Sequence, residues 1–128
     1  MYIRFAGLDR EPSIGVAPGL FWVSAGLPRD ADWRHEEAWR LLDWFNLNLD
    51  APLCVGRKSG RGGWRQGVCW FRDTATLHVS QARYLAWLLT EIGRPVRELR
   101  AACPGAEIWR DDHQAVFVPY RERQVRVL

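Results

Sequence analysis

A chain of 128 residues and 14.8 kDa, 48% apolar and 26% charged, has the size and composition of one globular domain. Such a length can bury a core without metal or disulfide support, and Cys54, Cys69 and Cys103 lie too far apart for a Cys-x-x-Cys metal or redox motif. No apolar run approaches the roughly 20 residues that span a bilayer, and Arg4, Asp9, Arg10 and Glu11 leave no apolar leader at the amino terminus. The expectation is one cytoplasmic domain spanning residues 1–128, with reduced and mostly buried cysteines and no membrane partner.

The net charge of +3 is a weak footprint for nucleic acid, but it is unevenly spread. Residues 1–53 carry −3, residues 54–93 carry +4 and residues 94–128 carry +2. An anionic partner would meet the middle segment first.

Residues 1–6 alternate as a strand does, with Ile3 and Phe5 on one face and Tyr2 and Arg4 on the other. Gly7, Pro12, Gly15 and Pro18 mark a turn-rich connection. The apolar run Leu20-Phe21-Trp22-Val23, bounded by Gly19 and Gly26, predicts a second, buried strand. Asp30 or Asp32 is placed to cap a first helix, and Ala38, Leu41, Leu42, Phe45 and Leu49 form its apolar stripe. Trp39 falls well off that stripe, and Trp33 and Trp44 lie at its margins.

The stretch 56–67, Gly-Arg-Lys-Ser-Gly-Arg-Gly-Gly-Trp-Arg-Gln-Gly, leads into a strand at Val68 to Phe71. A second helix follows, with Asp73 or Thr74 as its cap and Ala82, Leu85, Leu88, Leu89 and Ile92 on one face. Gly93 and Pro95 end it. His78 points inward, whereas Trp87 and Arg83 lie one turn apart on the opposite face. Val96 to Leu99 predicts another strand and Cys103-Pro104-Gly105 a turn. Glu107 to Arg110 and Ala115 to Val118 predict a hairpin across Asp111-Asp112-His113, its second strand covered on both faces. Pro119 ends that strand, and the alternating tail 121–127 fits an edge strand or a frayed end. The whole reads as an α+β domain: a single antiparallel or mixed sheet with two amphipathic helices packed on it.

No motif in the chain identifies a reaction or a family. The loop has the composition of an anion site, with glycines that admit a close backbone approach and Arg57, Lys58, Arg61 and Arg65 as forked or point-charge donors. It lacks the spacing of a nucleotide-binding P-loop or a dinucleotide fingerprint. Trp22, Trp70 and Trp109, in strand-like runs, are expected in or beside the core. Four other indoles, Trp33, Trp39, Trp64 and Trp87, are hard to bury together, and Trp and Arg are enriched in interface hot spots.

Cys69 with His78 is a thiol and base only if strand and helix bring them together. Asp111, Asp112 and His113 are metal-ligand types, but three consecutive residues form a polar turn more readily than a metal site. No cofactor is expected. The leading expectation is a small binding or regulatory domain that meets a protein partner, or a second copy of itself, through Trp39, Trp64, Arg83 and Trp87 and the basic loop. One alternative is an enzyme for a phosphorylated or anionic small substrate, with the loop arginines as clamp and His78 or His113 as acid or base. The other is a nucleic-acid binder.

Overall fold

A computed structural model describes residues 1–8, 17–29, 31–52 and 67–120. The fold is α+β, built on a single five-stranded sheet. Its elements are β1 (Tyr2–Gly7), α1 (Leu20–Val23), α2 (Trp33–Asn48), β2 (Val68–Arg72), α3 (Thr76–Glu91), β3 (Val96–Ala101), β4 (Ala106–Arg110) and β5 (Gln114–Val118). The strand order is β3-β1-β2-β5-β4, and the β1–β2, β2–β5 and β4–β5 pairs are antiparallel. The chain divides into two compact units. One holds Met1–Ile3, Ala51–Ala75 and Arg100–Leu128, and the other holds Arg4–Asp50 and Thr76–Leu99.

In the strand-rich unit, β5 lies between β2 and β4, and Gln114, Ala115, Val116 and Phe117 are all buried, as four apolar or neutral residues in a row require of a covered strand. Asp111 fixes the hairpin turn: its Oδ1 accepts from the His113 and Gln114 amides at 2.8 and 2.9 Å. At the other end of the hairpin Gly105 has φ +155°, and a Cβ there would collide with the Val118 carbonyl. The register slips between Glu107 and Trp109, leaving Ile108 as the extra residue of a bulge. Trp70 and Trp109 are half-buried on β2 and β4, as their strand positions predict.

In the helical unit, Asp32 is the cap of α2 and accepts from the Arg34 and His35 amides. Ala38, Leu41 and Phe45 of the predicted stripe are buried, while Leu42 and Leu49 are half-buried. On α3, Ala82, Leu85, Leu88 and Leu89 are buried, each leucine contributing roughly 1.5–3 kcal/mol by leaving water. Helix α3 closes with Gly93 at φ +92°, where the Gly93 amide donates to Thr90 O and the Arg94 amide to Leu89 O. This paired closure needs the left-handed residue that glycine supplies. His78 is buried as expected, with Nε2 donating to the Asn48 carbonyl at 2.8 Å. Trp33 near the start of α2 meets Trp87 late in α3, and the end of α2 meets His78 early in α3, so the two helices run antiparallel.

Three expectations are corrected. Leu20 to Val23 is one turn of helix, not a buried strand. Ser24 Oγ donates to the Leu20 carbonyl at 2.8 Å, and the Arg94 guanidinium takes the Val23 and Ala25 carbonyls at 2.9 and 2.7 Å, so these carbonyls are satisfied without a strand partner. As a result only Leu20 is buried in that turn, and Trp22 is 66% exposed. Second, α3 begins at Thr76, because Asp73 and Thr74 form a turn closed by the Ala75 amide on Arg72 O. Third, Cys103 is exposed and Cys69 half-buried; both are free thiols.

Candidate functional site: an exposed aromatic row on the helical unit

Residues three and four apart on a helix share a face, and two such relations, one on each long helix, assemble the most distinctive surface of the helical unit. On α3, Tyr84 and Trp87 are spaced by three; on α2, Trp33 and Glu37 are spaced by four. The antiparallel helices bring these pairs together. The Trp33 and Trp87 ring centroids lie 6.5 Å apart, and Trp87 stacks on Tyr84 at 6.2 Å with 16° between the planes. Trp33 is 55% and Trp87 48% exposed, so the row keeps much of its apolar area in water.

Hydrogen bonds hold the row in place. Tyr84 Oη donates to Glu37 Oε2 at 2.8 Å, and the Arg40 guanidinium holds the same carboxylate. The Arg40 hydrogen bond first, then that of Tyr84, pulls the Glu37 carboxyl below its usual range, and the bond to Glu37 raises the Tyr84 phenol above its own. Arg83, one turn before Trp87, makes a forked pair with Glu98 of β3 at 2.9 and 3.1 Å. Arg34, next to Trp33, bonds Asp32 Oδ2 at 2.9 Å. That bond is the first influence raising the Arg34 guanidinium, with a smaller push from Glu91; Asp32 in turn is held well below the carboxylate range by Arg34 and then His35. Each arginine flanking the row therefore already holds a carboxylate of its own.

The residues singled out from sequence have separate fates. Trp87 and Arg83 are exposed on one face of α3, as expected. Trp39 is half-buried: its Nε1 donates to the Leu27 carbonyl at 3.0 Å, and the Arg29 guanidinium lies 3.9 Å over its ring. Arg57, Lys58, Arg61, Trp64 and Arg65 lie outside the described residues, as does the tail 121–127. Trp33, one of the four indoles hard to bury together, is exposed as well, and Tyr84 is the addition. The spacing of Tyr84 from Trp87 was available in the sequence, but their meeting with Trp33 depends on how α2 lies along α3.

The chemical candidates each have partners of another kind. Cys69 Sγ donates to Gln114 Oε1 at 2.7 Å within the strand-rich unit, and His78 packs against Trp44 and Phe45 in the helical unit. His113 and Asp111 belong to the hairpin turn, and among the described residues no three His, Cys, Asp or Glu side chains gather as a metal site needs. Among the same residues no helix is long and apolar enough to cross a membrane. Comparison with known proteins found no matching family model, no matching curated protein and no matching solved structure.

Proposed function

We propose that this chain is a binding domain that docks a protein partner on the row formed by Trp33, Trp87 and Tyr84. The observation that carries the reading is the pairing of two exposed, adjoining indoles, one of them stacked on Tyr84, with arginines that are already neutralised. Tryptophan and tyrosine are enriched among the hot spots of protein interfaces, where their ring surface leaves water. A phosphate backbone would instead call for free cationic donors, and Arg34, Arg40 and Arg83 each face a carboxylate. The reading is tested by capture on the immobilised chain from nuclease-treated lysate of the native host, with wild type beside the double variant Trp33→Ala, Trp87→Ala. A stoichiometric protein retained by wild type and lost by the folded variant supports it; equal retention by both contradicts it.

A second reading, nucleic-acid binding, is favoured by the +4 charge of residues 54–93. It requires nuclease-sensitive capture and affinity that falls steeply with salt and with replacement of Arg57, Arg61 and Arg65. The enzyme alternative joined those same arginines to His78 or His113. His78 is buried against the end of α2 and His113 sits in a hairpin turn, so neither supplies an observation that advances it.

A further inference from the structure

The aromatic row has a charge pattern that narrows what can sit on it. Glu91 follows Trp87 by four residues and Glu36 follows Trp33 by three, so each lies one helical turn from an exposed indole. Both are exposed, and among the described residues neither has an ion-pair partner within 4.0 Å. Glu91 is near enough to act on Arg34, beside Trp33, while that guanidinium is committed to Asp32. It also occupies the last turn of α3, which has no basic residue. A carboxylate there faces the negative end of the helix dipole, where a cation is the favoured charge.

We propose that the group docked on the row is a cation: an arginine or lysine side chain of the protein partner, lying over Trp87 and Trp33 with Glu91 as its counter-charge. The indole face is the strongest aromatic acceptor for a cation, and the stem of either side chain covers apolar surface while its head stays polar. The unspent carboxylates supply the complementary charge, and the paired arginines of the row leave room for a guanidinium or ammonium brought from outside. This assignment rests on the reading that the row docks a protein, and its test is arranged so that the two fail differently.

The test titrates the whole chain with four acetylated, amidated pentapeptides, Gly-Gly-X-Gly-Gly, in which X is arginine, lysine, citrulline or leucine. The indole N–H NMR signals of Trp33 and Trp87, assigned by single substitutions, are followed. The arginine and lysine peptides are expected to shift both signals saturably, with roughly threefold or greater preference for arginine over neutral citrulline. Glu91→Gln is expected to lower that preference while leaving citrulline binding alone. Trp87→Leu, which keeps apolar area but removes the ring face, should abolish it. If citrulline or leucine shifts the signals as strongly as arginine, the cation is wrong and the row as a docking surface survives. If no peptide shifts either signal, or if exposed Trp22 responds equally, the cationic assignment is overturned, and the capture experiment alone decides the docking reading.

Discussion

Trp39 and Trp87 look alike on a helical wheel, since both point away from the apolar stripe of their helix, yet they have opposite environments. Trp39 is covered by residues from before the start of α2: the Leu27 carbonyl takes its N–H and Arg29 lies over its ring. Trp87 is instead lined by two other exposed or half-exposed rings and reaches water. A wheel gives the direction of a side chain but not what the preceding loop lays across it. The difference separates an indole that holds the helical unit together from one whose surface is available to a partner.

The largest effect on folding should come from the first of these. Trp39→Ala is expected to lose about 2–3 kcal/mol in urea unfolding, combining lost burial with the loss of one hydrogen bond and the ring under Arg29. A loss below about 0.5 kcal/mol would break the distinction. Trp87→Ala should do the reverse: stability within about 1 kcal/mol of wild type, with at least roughly tenfold weaker association with the captured partner. Tyr84→Phe sharpens the comparison further. It keeps the stacked ring and removes only the donor to Glu37, a partly exposed bond worth roughly 0.5 kcal/mol or less, so unfolding should shift slightly and binding hardly at all.

The smallest effect is a pH dependence at the start of α2. Because the Asp32 carboxyl is held well below its ordinary range, first by Arg34, its contribution is complete above the unfolded value. It is lost as pH falls below about 4. Wild-type melting temperature should therefore drop more steeply on the acid side than that of Asp32→Asn. Parallel curves for the two would show that the Asp32 cap carries no linked charge.

How much of this was legible in the sequence is best seen in two apolar runs of four. Ala115 to Val118 predicts a covered strand, and β5 is one, paired with β2 and β4 at its edges and with Ala115, Val116 and Phe117 buried. Leu20 to Val23 carries the same kind of run and forms a helical turn, its Leu20 carbonyl taken by Ser24 and its Val23 carbonyl by Arg94, 71 residues further along. Periodicity cannot separate these cases in so short a stretch; the distant partner decides. The two long helices, their stripes, the inward His78 and the exposed Trp87 and Arg83 followed from spacing alone. The row itself was only half visible, since Trp33 reaches it through the antiparallel packing of α2 on α3.

The central claim is tested most directly by photocrosslinking from the row. Benzoylphenylalanine placed at position 87, and in a parallel chain at position 22, keeps an aromatic group at two exposed tryptophan sites. Irradiation in nuclease-treated native lysate is predicted to give a discrete protein adduct from position 87 and none from position 22. Equal adducts from both positions, or none from position 87, would contradict the account.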